Sequence, residues 1–148
     1  MAKFELELPT DVIEDIEKVY FNTDKIFGGM TKAAAKMVKA QVQANVPKNF
    51  YTQKNGKGGT IMKCLKVTRT YKTPTDGGIN TKVGFYGYFI NQDGKKTPAP
   101  LVCNMFEYGT SRRKFPKHPF MRKSFNPSAI KATMLAEQKK LSGGILDE

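Results

Sequence analysis

Residues 106–125 form the most informative stretch of the sequence and read Phe106-Glu107-Tyr108-Gly109-Thr110-Ser111-Arg112-Arg113-Lys114-Phe115-Pro116-Lys117-His118-Pro119-Phe120-Met121-Arg122-Lys123-Ser124-Phe125. Gly109 is predicted to end a helix or strand, because glycine adopts positive φ without a Cβ clash. Pro116 and Pro119 predict an extended chain, since each proline disfavours helix in the residue before it. Aromatic residues are interspersed among the basic residues, so we expect a stiff cationic segment that is anchored by rings and presented to a partner. The alternative for each ring is that it only holds a surface loop against the core.

Three short motifs with a fixed order carry a resemblance to a known family. They are Ala44-Asn45-Val46-Pro47 at the predicted end of an amphipathic helix, Glu107-Tyr108-Gly109-Thr110, and His118-Pro119-Phe120-Met121-Arg122. In this order they resemble the neck and tail-completion proteins, also described as head–tail joining or minor tail components, of long-tailed bacteriophages. The resemblance covers about residues 30–126. Members of the family often continue after the proline with a short Asp-Thr-Gly turn, whereas this chain has the longer segment Lys48–Gly59.

The resemblance implies a virion structural protein at the head–tail junction, present in the host cytoplasm during assembly. It implies a homo-oligomeric ring, with six as the expected number of copies, that completes the tail or joins it to the head. The implied partners are further copies of the chain, adjacent neck or connector proteins, tail-tube proteins, and genome DNA that passes through the lumen without sequence recognition. Two alternatives stay open: a tail terminator protein, and a free-standing, sequence-nonspecific nucleic-acid-binding module.

Two sets of residues receive predicted roles under this hypothesis. The first set is expected to fix the fold and the pose of the basic segment, and consists of Glu107, Tyr108, Gly109, Thr110, Phe115, Pro119 and Phe120. The second set contains candidates for the assembly surface or the DNA-lining surface, and consists of Lys48, Lys54, Lys57, Lys95, Lys96, Arg112, Arg113, Lys114 and Lys117.

Charge is distributed unevenly along the 148 residues, which we expect to form one domain, 1–148. Residues 1–24 carry a net charge of −5, whereas residues 25–125 carry +17. This asymmetry favours a polyanionic partner for the basic body, or contact between the acidic segment of one copy and the basic body of the next. Solvated lysines without a partner are the third interpretation. The excess of lysine over arginine argues against specific phosphate or base recognition, which favours the arginine fork.

The sequence predicts no enzyme, no cofactor and no metal site. His118 is the single histidine, and no clustered carboxylates suggest a divalent-metal site. Cys64 and Cys103 lack metal-binding spacing and are expected to be buried thiols. No apolar run approaches the roughly 20 residues of a membrane span, and no secretory signal is recognisable at the N-terminus. We therefore expect no membrane association.

The N-terminal third is predicted to contain a short strand, Phe4–Leu8, and then two helices. The first helix starts near Thr10, has an apolar face, and is expected to end at Gly28-Gly29. The second helix covers 30–46 and ends before Pro47. The apolar face of the first helix comprises Val12, Ile13, Ile16, Val19 and Tyr20, and the inner stripe of the second comprises Met30, Ala34, Met37, Val38, Gln41 and Val42.

The remaining sequence predicts a hairpin between two long loops, followed by two helices. The hairpin joins residues 61–71 to residues 79–85 through a turn at 73–78. The loops are Lys48–Gly59 and Gly87–Pro100, both expected to become ordered only against a partner. A short helix is expected at 101–108, and a C-terminal helix from Pro127, capped by Asn126 and closed by Gly143-Gly144. The predicted fold is α+β, with two N-terminal helices and a C-terminal helix packed on a small, mainly antiparallel β-sheet.

Overall fold

The structure, a computed structural model, describes residues 10–47, 59–91, 93–112 and 114–143. Its elements in chain order are α1 (Thr10–Asn45), α2 (Gly59–Met62), β1 (Leu65–Val67), β2 (Tyr71–Lys72), β3 (Ile79–Asn80), β4 (Val83–Phe85), β5 (Tyr88–Ile90), β6 (Lys96–Pro98), α3 (Ala99–Tyr108), a 3-10 helix (Arg122–Ser124) and α4 (Pro127–Ser142). The strands form three antiparallel pairs, β1–β4, β2–β3 and β5–β6. The predicted α+β class with antiparallel pairing is confirmed.

Helix α1 is one continuous helix of 36 residues, so the predicted break at Gly28-Gly29 is wrong. Gly29 serves helix packing instead. A Cβ atom placed on Gly29 would collide with the side chain of Leu141 in α4. Glycine at this position therefore lets α4 approach α1 closely, and the contact with α4 offsets the helix propensity that glycine lacks.

The two halves of α1 differ in burial. In the C-terminal half, Met30, Ala34, Val38 and Val42 are buried and Met37 is partly buried against the core, as predicted, whereas Gln41 is exposed and its predicted inward position is wrong. In the N-terminal half, the predicted apolar face is not covered. Val12, Ile13, Ile16 and Tyr20 are exposed, and Val19 is only partly buried.

Helix α4 packs along the C-terminal half of α1 in the antiparallel direction. Leu141 and Glu137 near the end of α4 approach Gly29, while Ile130 near its start lies with Val38 around a shared cavity. The predicted caps of α4 are confirmed. The Asn126 side chain accepts hydrogen bonds from the backbone N–H groups of residues 128 and 129, and Gly143 closes the helix with φ 64°.

The predicted hairpin is confirmed from residue 65 onward, whereas its predicted start at 61–62 is wrong, because these residues belong to helix α2. Leu65 pairs with Phe85 in β1–β4, and Tyr71 pairs with Asn80 in β2–β3. The predicted long loop over 87–100 is wrong, because this segment contains the hairpin β5–β6 and the first residues of α3. The Asn91 side chain accepts hydrogen bonds from the backbone N–H groups of residues 93 and 95, and Gly94 takes φ 73°, which together close the turn.

One apolar core joins the C-terminal half of α1, the hairpins and α3. Its members are Val38, Val42, Val46, Ile61, Cys64, Leu65, Phe85, Phe89, Ala99, Cys103 and Phe120. Both cysteines are buried and reduced, as predicted. The predicted strand Phe4–Leu8, the segment 48–58 with its three candidate lysines, and Arg113 and Gly144 lie outside the described residues. None of the helices in the described ranges combines the length and the apolar character of a membrane-spanning segment.

Candidate assembly surface

The carboxylate of Glu107 is the centre of the C-terminal motif. Glu107 lies at the end of α3 and is only 3% exposed. Its Oε2 atom accepts the backbone N–H groups of Phe120 and Met121, both at 2.9 Å. Its Oε1 atom accepts the backbone N–H of Arg122 at 3.1 Å and the Arg122 Nε–H at 3.2 Å. These four bonds are called here the Glu107 clamp, and three of them satisfy backbone donors at the start of the 3-10 helix that would otherwise lack partners.

The clamp keeps this buried carboxyl group ionised. Burial alone would raise the pKa of Glu107, because a charge is poorly solvated in the interior. The hydrogen bonds from the three backbone N–H groups and from Arg122 outweigh burial, and the pKa of Glu107 is lowered from its ordinary value of 4.5. The motif thus contains a charge that stabilises the turn after α3 only in its ionised form.

The buried Ser124 links the end of α1 to the segment that the Glu107 clamp holds. Its Oγ–H donates to the carbonyl oxygen of Phe120 at 2.7 Å, and Ser124 Oγ accepts from Asn45 Nδ2 at 3.1 Å. Asn45, Pro47, Lys117, His118, Pro119 and Lys123 also line one shared polar cleft. The three motif segments, separated in sequence, therefore meet at one place in the fold.

The aromatic residues of the motif divide into anchors and surface rings. Phe120 is 1% exposed and contacts Phe85 edge to face, with ring centroids 6.1 Å apart. Phe115 contacts Phe106 in the same way at 5.0 Å. Tyr108 is 64% exposed and is therefore a surface ring. Its ring lies 5.1 Å from the Arg122 guanidinium carbon, as in a cation–π contact.

Residues 111–114, called here the basic turn, lie between two paired residues. The backbone N–H of each of Thr110 and Phe115 donates to the carbonyl oxygen of the other at 3.1 Å. Gly109 precedes the pair with φ 72° and ψ −179°, a conformation open essentially to glycine alone. A Cβ atom there would lie 2.7 Å from the Phe115 carbonyl oxygen. The predicted positive φ of Gly109 is confirmed, and its cause is the close approach of the returning chain.

The candidate basic residues that the structure describes are all exposed, but they lie on different elements. Arg112 and Lys114 are in the basic turn, and Lys114 has φ 47°. Lys117 lies with Lys123 at the polar cleft beside Asn45. Lys95 and Lys96 belong to the β5–β6 hairpin, and the Lys96 Nζ atom lies 4.9 Å from the centroid of the Tyr88 ring. The basic residues therefore form at least two separate exposed groups.

A shallow cleft of about 700 Å³ lies beside the basic turn and is lined by Leu101, Met105, Thr110 and Arg112. It is called here the α3 cleft. Leu101 is 55% exposed, so the cleft offers apolar surface next to a cationic side chain. The Thr110 hydroxyl oxygen is buried and has no hydrogen-bond partner among the described residues.

The residues of the motif form a hydrogen-bonded and aromatic framework around the basic turn. Among the described residues, no group of three or more His, Cys, Asp or Glu side chains could hold a metal ion. The sequence-based prediction grouped Glu107 with the structural residues but missed its burial, and it missed Ser124 altogether. The sequence did contain one signal for the special role of Glu107, because it is the one acidic residue between Asp93 and Glu137.

Comparison of the chain with protein-family models, with curated proteins and with solved structures gave no match.

Proposed function

We propose that this chain is a virion structural protein that assembles as a ring at the head–tail junction of a long-tailed bacteriophage. The observation that supports the proposal most strongly is the meeting of three separate motif segments in one structure. Asn45 reaches Ser124, Ser124 reaches Phe120, and the Phe120 N–H reaches Glu107. Asn45, Glu107 and Phe120, one residue from each motif segment, are thus linked through Ser124 in one hydrogen-bonded unit.

This hydrogen-bonded unit fixes the position of the chain at the ends of the basic turn. The Glu107 clamp holds the chain after the turn, and the Phe106–Phe115 contact and the Thr110–Phe115 pairing hold the turn itself. Arg112 and Lys114 are therefore presented from a rigid frame to a neighbouring subunit or to DNA in the lumen. Most cationic side chains of the chain are lysines. Lysines act as point charges, so they screen the phosphates of DNA without fixing the position of the DNA along the surface.

A complementation experiment tests the proposal by comparing two variants in a phage that lacks the wild-type gene. The first variant replaces Arg112, Arg113 and Lys114 with serine, and the second is Phe120→Ala. Exposed substitutions usually change stability by about 0.5 kcal/mol or less each, so the triple variant should melt within a few degrees of wild type. It should give filled heads and complete tails that fail to join, or joined particles that fail to deliver DNA.

Phe120→Ala serves as the structural comparison. Loss of a buried phenylalanine typically costs about 3–5 kcal/mol, so this variant should lose folded protein and therefore every later step. Fully infectious particles from the triple variant would contradict the role of the basic turn. Normal particles assembled in the absence of the chain would contradict the head–tail assignment as a whole.

The exposed basic groups on separate elements favour one other function, a free-standing nucleic-acid-binding module. The proposed ring protein should bind duplex DNA weakly and without sequence preference. If about five phosphates are neutralised, the logarithm of affinity should fall with the logarithm of salt with a slope near −4 to −5. A tight, salt-resistant complex would favour the module.

The tail terminator is distinguished by labelling the chain in purified particles and locating the label by electron microscopy.

A further inference from the structure

Residues 10–25 of α1, called here the arm, have no buried side chain. Ile26 is the first buried residue of the helix, and Leu141 near the end of α4 approaches α1 at Gly29. At 1.5 Å per residue, the arm extends about 24 Å beyond the first buried residue. Since an isolated helix of this length is marginal in water, the arm gains stability from a surface that covers it.

The arm is amphipathic in phase with the rest of the helix. Val12, Ile16 and Tyr20 follow the same face that carries the buried Met30 and, further along, Val38. Ile16 is 63% exposed and Tyr20 75% exposed. A face that is continuous with the core stripe and yet exposed is typical of a helix that docks into the groove of another molecule.

The charges of the arm indicate which molecule covers it. Within residues 10–24 there are five acidic residues, Asp11, Glu14, Asp15, Glu17 and Asp24, and one basic residue, Lys18. Asp15 pairs with Lys18 and Asp24 with Lys72, whereas Asp11, Glu14 and Glu17 make no ion pair within the described residues. The body of the chain carries +17 over residues 25–125. A second copy therefore offers the complementary charge.

The α3 cleft matches the arm in both respects. It is concave, and its lining includes the exposed Leu101, the half-buried Met105 and the exposed Arg112. Another exposed apolar pair, Tyr88 and Ile90, lies on a two-stranded hairpin, where Lys96 already contacts the Tyr88 ring. A groove lined by apolar side chains and a cation is the surface that an acidic amphipathic helix requires.

We propose that the arm of one copy docks into the α3 cleft of a second copy, with Ile16 and Tyr20 against Leu101 and Met105 and with Glu17 facing Arg112. The contact is heterologous, because the arm and the cleft are different surfaces, and repeated around an axis it closes a ring. The inference rests on the self-assembly in the proposed function. It adds the interface through which neighbouring subunits bind.

Mixed disulfide formation between full-length variants that each carry one added cysteine tests the contact. Ile16→Cys protein is mixed with Leu101→Cys protein under mild oxidation, and the products are identified by non-reducing electrophoresis and mass spectrometry. The native cysteines are buried and should contribute little. We expect a crosslinked dimer that contains one chain of each variant. Because the two cysteines are on different chains, this product requires contact between copies.

Phe21→Cys is the matched control, because Phe21 is 79% exposed on the same helix but about 140° around the axis from Ile16. Ile90→Cys is the matched control for the cleft. Neither should give the mixed product in comparable yield. Equal crosslinking from Phe21→Cys, or preferential Ile16→Cys homodimers, would overturn the docking of the arm in the cleft.

Sedimentation of Ile16→Glu provides the second readout. Burial of an aliphatic side chain corresponds to roughly ten- to a hundredfold in affinity, so Ile16→Glu should weaken self-association by at least that factor, while Phe21→Glu should not. Rings that assemble without an Ile16–Leu101 crosslink would overturn the arm contact and leave the ring intact. A protein that stays monomeric at all concentrations would overturn both, and a closed dimer with the crosslink would uphold the contact and contradict the ring.

Discussion

The carboxylate of Glu107 accepts two hydrogen bonds from Arg122, one from the backbone N–H at 3.1 Å and one from Nε at 3.2 Å. Glu107 lies in the last turn of α3 and Arg122 begins the 3-10 helix, so this pair closes the chain around the basic turn between them. The Arg122 side chain is exposed, whereas that of Glu107 is buried. The bonds from backbone N–H groups therefore matter more to the stability of this turn than the ion pair does.

Glu107→Gln should destabilise the fold while keeping the shape of the side chain. The amide places an NH₂ group, which is a donor, where backbone N–H groups now find an acceptor. An unsatisfied buried donor costs about 1–3 kcal/mol, and we expect a loss in that range in urea unfolding monitored by circular dichroism. Glu14→Gln, an exposed change on α1, is the control and should leave the free energy of unfolding unchanged. Equal stability of the two variants would contradict the clamp.

The same carboxylate predicts how stability depends on pH. Its pKa is lowered in the folded chain, so the folded state binds this proton less readily than the unfolded state does. The stabilisation by Glu107 is fully present above the ordinary value of 4.5 and is lost as pH falls through the lowered folded pKa. The difference in unfolding free energy between wild type and Glu107→Gln should therefore shrink as pH falls below about 4.5. A difference that stays constant from pH 7 to pH 3 would show that ionisation of Glu107 has no part in the effect.

The elements that could be predicted from sequence are those that local rules determine. Asn126, Pro127 and Gly143 mark the ends of α4, because the cap, the fixed φ of proline and the left-handed glycine act within a few residues. Gly109 belongs with them, since its positive φ is a backbone requirement of the turn that follows. The β1–β4 pairing also follows from alternating apolar residues on either side of a turn.

The sequence-based predictions that were wrong failed because of contacts between residues that are distant in sequence. Gly29 looks like a helix break until Leu141 packs on it, and the segment after Gly87 looks like a loop until Phe89 is buried in the core. Glu107 illustrates the same limit at the candidate site. A charged residue is usually exposed, and its burial here depends on backbone donors of Phe120 and Met121, which the local sequence does not reveal.

Gly109→Ala should destabilise the fold for two reasons, which are the strain of alanine at positive φ and a steric clash of its Cβ atom. Its Cβ atom would lie 2.7 Å from the Phe115 carbonyl oxygen and 3.1 Å from the Lys117 nitrogen, and both are backbone atoms that cannot rotate away. Gly143→Ala is the control, since Gly143 also has positive φ but a Cβ there meets nothing within 4 Å. We expect about 1 kcal/mol for Gly143→Ala and at least about 3 kcal/mol for Gly109→Ala, from chemical denaturation. Similar costs at the two sites would mean that the chain after Gly109 moves away freely.

Cys103 should react slowly with alkylating agents in the folded protein. Burial, and secondarily the negative charge of Glu107, raise the pKa of the Cys103 thiol from 9.0 to about 11. Because only the thiolate is nucleophilic, alkylation by iodoacetamide at pH 8 should be roughly a hundredfold slower than for an ordinary cysteine, as measured by mass spectrometry at this residue. Glu107→Gln removes the neighbouring charge and should shift the midpoint of the pH–rate profile downward.

Unfolding in urea is the control for the alkylation of Cys103 and should restore the ordinary rate. A Cys103 that is alkylated as fast in the folded protein as in urea would contradict its burial beside Glu107, and an unchanged midpoint in Glu107→Gln would contradict the electrostatic contribution.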